Sequence, residues 1–220
     1  LSAVGTALAL NFPPLVAQAS PFSPFPTTGF PGSRPVTMAD AAAPRRYLHD
    51  HSNGMEALLR TIRFAEGTWR GGTEDGYQVI YGGRLISEVF PGSDPFSSHP
   101  DHVVRKQNAL NSSAAGAYQF MGRTWNTVAG WMGIEDFSPR RQDQVARRLV
   151  RNRLSDEEEA NIARGILTRE ALHQLAPEWA ALPTRWGGSY YGYGQHVKSW
   201  ERLKAFYDRQ LALLNRETGA

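Results

Sequence analysis

The 220-residue chain contains no cysteine, so no disulfide ties its fold together and no thiolate can act as nucleophile or soft metal ligand. It also has no apolar stretch long enough to cross a bilayer. The longest, Val4 to Val16, is short and broken by Pro13 and Pro14, which argues against a stable membrane span. A charge excess is nearly missing as well: 24 Lys and Arg against 21 Asp and Glu leave +3, with a pI near 9.3. That balance suits an anionic polymer as partner and is too weak to argue for nucleic acid. Arg140, Arg141, Arg147, Arg148, Arg151 and Arg153 form one basic run on an expected helix. It reads as a solvated helix face, and no nucleic-acid motif accompanies it. His99-Pro100-Asp101-His102 offers two His three apart and one Asp, without a further ligand at a recognisable spacing. His99 is therefore read as structural, and neither metal nor cofactor is expected.

Hydrophobic residues make up 41% of the chain and aromatics 11%, enough for a real core. The 21 glycines and 14 prolines are unevenly spread and mark the domain boundary. Residues 1–19 have the pattern of a signal-peptide remnant, an apolar stretch followed by the small-x-small site Ala17-Gln18-Ala19 before Ser20. This predicts an exported protein, periplasmic or extracellular. Residues 20–50 carry Pro21, Pro24, Pro26, Pro31, Pro35 and Pro44 with no helical or strand period, and read as a disordered linker. The folded domain is expected over 51–217. Asn53 with Glu56 suggests a capping box, and Met55, Leu58, Leu59, Ile62 and Ala65 recur at helical spacing up to Glu66-Gly67. Gln78–Tyr81 and Arg84–Ser87 around Gly82-Gly83 predict a hairpin. Further helices are expected over 116–132, from Ser138-Pro139 to about Arg153, after Ser155, from Thr168 to about Ala181, and across Val197 to Leu214. The fold class is α+β, predominantly helical, with a small β-hairpin.

Glu66 is the chemical candidate. Ile62 and Leu59 lie one and two turns before it, so its side chain emerges beside the apolar stripe. It also stands at the helix C-terminus, where the macrodipole disfavours negative charge. Both effects raise the pKa of a carboxylic acid, and an acid still protonated near neutral pH is what glycoside cleavage requires.

The residues around it sharpen this reading. Glu66-Gly67-Thr68 is followed by Gly76-Tyr77, Tyr81-Gly82-Gly83-Arg84-Leu85 and His99-Pro100. Ser113 to Phe120 (SAAGAYQF), Thr124-Trp125, Asp136-Phe137-Ser138-Pro139, Gln142-Asp143 and Gly192-Tyr193-Gly194-Gln195 complete the series. In this order, from about Leu58 to about Leu203, they resemble the phage lambda lysozyme family of lytic transglycosylases, within the lysozyme-like superfamily. The resemblance implies a lysozyme-like fold with a substrate cleft. It also implies cleavage of the β-1,4 bond between N-acetylmuramic acid and N-acetylglucosamine in peptidoglycan glycan strands. Glu66 would protonate the leaving oxygen, then take the proton of the muramic acid C6 hydroxyl as that hydroxyl closes a 1,6-anhydro ring. A phage lysin or virion-associated lysin with such a domain is the alternative to an exported bacterial enzyme, and a monomer is expected.

Asp75, nine residues after Glu66, resembles by its offset the second carboxylate of the T-even phage lysozymes, which hydrolyse with inversion. It reads equally as the turn residue before Gly76. By the same resemblance Tyr118 and Gln119 open a helix at the cleft wall, while Tyr193 and Gln195 belong to a lip beside Glu66. These four are the expected substrate-binding residues, Gln119 because its amide can both donate and accept. Trp186, Tyr190 and Tyr191 fall where the chain is longer than the family pattern, in an aromatic, glycine-rich stretch with no assigned role. A non-catalytic wall-binding module would keep such aromatics and could dispense with Glu66, which here stands in its full Glu-Gly-Thr context.

Overall fold

The computed structural model describes residues 51–104, 111–192 and 196–219. Residues 1–19 and 20–50, expected to be a signal-peptide remnant and a linker, lie outside the described residues. Helix α1, Asn53–Glu66, is capped by Ser52, whose extended backbone lets Oγ accept from Met55 N at 3.1 Å. Asn53 is thus already helical rather than the cap, and its amide serves tertiary structure instead. It donates to Asn215 Oδ1 at 2.9 Å and Thr218 Oγ1 at 2.8 Å. Glu56 does not close a capping box either; it pairs with Arg60 at 3.2 Å and Arg147 at 2.8 Å. Met55, Leu58, Leu59, Ile62 and Ala65 are buried, as their period requires.

Helix α2, Ile86–Val89, and helix α3, Gly122–Trp131, are short. Helix α4, Pro139–Arg153, follows Ser138 with proline in its first turn. Ser155 Oγ caps α5, Asp156–Ala163, by accepting from Glu158 N, and Thr168 caps α6, Arg169–Leu175. Helix α7, Trp200–Thr218, runs antiparallel along α1, joined to its start through Asn53 and to its end through Lys198, whose Nζ reaches Ala65 O at 2.8 Å. Helix α5 crosses close to the start of α1: a Cβ on Gly54 would sit 1.8 Å from Ile162 O, so that position needs glycine.

Three expected elements differ. The hairpin reduces to one antiparallel bridge, Val79–Leu85, because Glu88 accepts from Leu85 N at 3.0 Å and starts α2 where the second strand was expected. Further single bridges, Ile80–Ala115 and Ala115–Phe120, braid these loops together without a sheet. The helix expected from 116 starts only at Gly122. Gly116 at φ 79° and Gln119 at φ 48° form a turn closed by Ala115–Phe120 hydrogen bonds, which no α-helix accommodates. Phe120, Trp125 and Val128 still enter the core, whereas Met132 stays exposed. The helix expected to reach Ala181 ends at Leu175, releasing 176–192 as a structured loop.

The basic run of α4 is largely spent within the fold. Arg141 pairs with Asp136 at 3.5 Å, Arg147 with Glu56, Arg151 with Glu159 at 3.8 Å and Arg153 with Glu178 at 2.6 Å. His99 is buried against Phe137, with Nε2 2.8 Å from Phe120 O and Nδ1 accepting from Asp101 N at 2.9 Å. Those two bonds fix the neutral Nε2–H tautomer, and burial lowers its pKa in the same sense. Among the described residues no helix is long and apolar enough to cross a membrane.

Candidate active site

Glu66 is the last residue of α1. Gly67 then turns left-handed at φ 78°, and the amides of Gly67, Thr68 and Trp69 fold back onto Phe64 O and Arg63 O. Thr68 is buried and its hydroxyl donates to Ala117 O at 2.5 Å, which clamps the helix end to the 115–120 turn. The Glu-Gly-Thr triplet is therefore a carboxyl, a reversal and a tether in succession.

Two other segments close around the Glu66 carboxyl. Ala181 N donates to its Oε1 at 3.4 Å, a long and weak bond. Lys198 approaches from the segment before α7, its ammonium bonded to Ala65 O and lying 5.1 Å over the Phe64 ring. Backbone Lys198 N also donates to Ala181 O at 3.4 Å, so the two segments brace each other. Burial raises the Glu66 pKa to about 7 from 4.5, against a smaller pull downward from the Ala181 amide and the Lys198 charge. Desolvation is thus the leading cause, and this carboxyl can both lose and regain a proton at neutral pH. Sequence reasoning did not find Lys198; a lysine ahead of a helix N-cap has no signature until the fold brings it to another helix's end.

Behind this site lies a second polar cluster. Arg63 Nη1 donates to Tyr77 Oη at 2.9 Å, and Tyr77 donates to Asp143 at 3.0 Å. Tyr118 donates to Asp143 Oδ1 at 2.6 Å. Arg63 also lies over the rings of Tyr77 and Trp69, at 4.1 and 4.9 Å. Gln142 is fully buried and ties three loops: its Nε2 donates to Tyr77 O and Phe137 O, and its Oε1 accepts from Ala117 N. A Cβ on Gly116 would stand 2.3 Å from that oxygen, so the turn needs glycine both for its φ and for this approach. Gln142 and Asp143 thus act as internal scaffold.

The expected site residues separate accordingly. Tyr118 is buried in the core with its hydroxyl committed to Asp143, so it supports the 115–120 turn and presents no surface to a sugar. Gln119 is partly exposed, yet both amide protons are spent on Val79 O at 2.8 Å and Gly116 O at 3.0 Å. Only its Oε1 is left to face a ligand, as an acceptor. Neither residue opens a helix. Asp75 lies exposed in the first turn of a short 3-10 helix, Glu74–Gln78, directly before Gly76. Among the described residues its carboxylate makes no hydrogen bond or ion pair, so nothing aims it at Glu66. Tyr193 and Gln195 lie outside the described residues. No group of three His, Cys, Asp or Glu converges among the described residues in a way that could hold a metal ion.

The chain is similar to known proteins in sequence and in fold. The family model described as Endolysin matches residues 56–214. The endolysin of Escherichia phage lambda is 33% identical over 148 residues, covering 66% of this chain and 84% of the relative. The endolysin of Escherichia phage P2 is 31% identical over 166 residues, covering 71% and 91%. Among solved structures, bacteriophage lambda lysozyme complexed with a chitohexasaccharide aligns with TM-score 0.58 and 31% identity, over 72% of this chain and 94% of that one. A second bacteriophage lambda lysozyme structure gives 0.53 and 30%, over 75% and 94%.

Proposed function

This chain belongs to the endolysin family and is a peptidoglycan-cleaving enzyme with a lysozyme-like fold, and from that premise we propose that it works as a lytic transglycosylase with Glu66 as its acid and then its base. The observation that carries the reading is the Glu66 carboxyl, desolvated at the end of α1 with its pKa raised to about 7. In its protonated form it gives its proton to the glycosidic oxygen as the bond from C1 of N-acetylmuramic acid to that oxygen breaks. The carboxylate left behind takes the proton of the same sugar's C6 hydroxyl while the C6 oxygen bonds to C1. The product end is a 1,6-anhydro ring, the acid is restored, and no water is consumed. Because nucleophile and reaction centre share one sugar, orientation supplies much of the rate. Lys198 fits the first half of the cycle, since its charge stabilises the carboxylate that appears as the proton leaves.

The glycan is proposed as substrate because a relative of the same fold is solved with a chitohexasaccharide. Gln119 Oε1 would accept from a sugar hydroxyl or acetamido N–H, and Tyr193 and Gln195, outside the described residues, are proposed as further sugar contacts. The N-terminal pattern supports export with cleavage before Ser20, for which a secreted product beginning at Ser20 is the expected finding.

Mass spectrometry of muropeptides released from purified walls tests the mechanism. Anhydro ends are expected. Reducing ends, together with loss of activity in Asp75→Asn, would instead assign a hydrolase in which Asp75 positions water.

A further inference from the structure

The loop released by the early end of α6 folds into a small, stiff hairpin. Pro183 bridges Ser189, Thr184 N donates to Gly188 O at 2.8 Å, and Gly187 N returns to Thr184 O at 2.9 Å. The three-residue tip, Arg185-Trp186-Gly187, closes with Gly187 left-handed at φ 88°, as a bulged hairpin requires. Its root is buried through Leu182 and Pro183, whereas Trp186 at the tip is 80% exposed. The indole is nonetheless held in place. Arg185 lies 5.5 Å over it and is itself pinned to Glu170 at 2.9 Å, while the His173 ring meets it edge-on at 5.4 Å. Tyr190, 42% exposed, follows directly and packs edge-on against Tyr191, whose hydroxyl donates to Pro177 O.

We propose that Trp186 is a sugar-stacking platform that extends the glycan-binding cleft beyond the bond being cut. The hairpin grows from the same backbone that bonds Glu66: Ala181 N holds the carboxyl, and Trp186 follows five residues later. Five residues span at most about 18 Å, so the indole stands within a few sugars of the reacting carboxyl. An exposed aromatic face matches the apolar face of a pyranose ring, and a side chain already fixed by its neighbours loses little freedom on binding. At 80% Trp186 is the most exposed of the large hydrophobic side chains among the described residues. The assignment rests on the glycan being the substrate, as proposed above.

The test measures binding in the Glu66→Gln background, so that it does not depend on cleavage. Trp186→Ala is expected to weaken binding to both chitohexasaccharide and purified sacculi by about 3- to 10-fold, with Trp186→Phe retaining most of it. In the otherwise wild-type enzyme, Trp186→Ala should raise KM by a similar factor at unchanged kcat and unchanged melting temperature. Unchanged affinity for both ligands would overturn the proposal. So would a loss seen only with sacculi, which would assign the tip to stem peptides, or a loss only of self-association, which would assign it to a second copy. An enzyme that binds glycan through Trp186 yet cleaves none would leave the platform standing and defeat the catalytic reading alone.

Discussion

Two carboxyl groups among the described residues are pushed toward their neutral forms by burial, and they are treated in opposite ways. Asp143 accepts hydrogen bonds from Tyr118 and Tyr77, the latter in turn receiving one from Arg63. Glu66 has one long bond from Ala181 N and a nearby ammonium whose own hydrogen bond goes to a backbone carbonyl. Desolvation is the largest influence on both; the difference lies in how much hydrogen bonding opposes it. A buried carboxyl supplied with donors holds loops together, and one left nearly bare keeps its proton available. On the proposed assignment, donor count separates the structural carboxyl from the catalytic one.

Replacing each carboxyl should break the comparison in a different way. Glu66→Gln removes the transferable proton, and wall cleavage should fall by about 10³-fold or more while the fold persists. The same variant should gain stability at alkaline pH. The folded pKa of Glu66 lies above its unfolded value, so its ionisation costs nothing below about pH 4.5 and the full penalty above about pH 7. Wild type should therefore lose up to about 3 kcal/mol across that window, and Glu66→Gln should not. Denaturant melts at pH 4 and pH 8 read this difference.

Asp143→Ala is expected to do the reverse. It leaves Arg63, Tyr77 and Tyr118 without their acceptor, and stability should fall by about 3 kcal/mol with the activity of each folded molecule largely kept. Urea titration and active-site-normalised turnover separate the two quantities. A fall in turnover at constant stability would place Asp143 in the chemistry and erase the contrast.

A smaller effect is expected at Lys198. Lys198→Met withdraws the positive charge that holds the Glu66 pKa down, so that pKa should rise further and the pH–activity profile should move to higher pH. The direction of that movement in kcat against pH is the readout. A downward movement would mean that Lys198 acts through the cleft's shape rather than its charge.

Much of this was legible in the sequence because it is local. The apolar period of α1, the Glu-Gly end of that helix, and the caps at Ser155 and Thr168 are carried by residues within a few positions of one another. The raised Glu66 pKa also followed from local position, whereas the opposing pull of Ala181 and Lys198 comes from distant segments and did not. What escaped was non-local. Tyr118 carries a cleft residue's motif, yet its hydroxyl is claimed by Asp143, 25 positions away. Gln119 loses both donors to backbone carbonyls because the turn needs φ 48° there, a conformation that the helix-like sequence pattern hides. The Gly82-Gly83 hairpin failed for a simpler reason: Glu88 caps a helical turn that takes the residues the second strand needed.

The central claim is that the Glu66 carboxyl stays protonated into the neutral range because the protein strips much of the water from this half-buried residue. A pH titration of the enzyme with ¹³C-labelled glutamate, with Glu66→Gln used to assign the resonance, measures this directly. A midpoint near 7 is the predicted result. A midpoint near the ordinary 4.5 would show a solvated carboxylate with no proton to give at neutral pH, and would contradict the account.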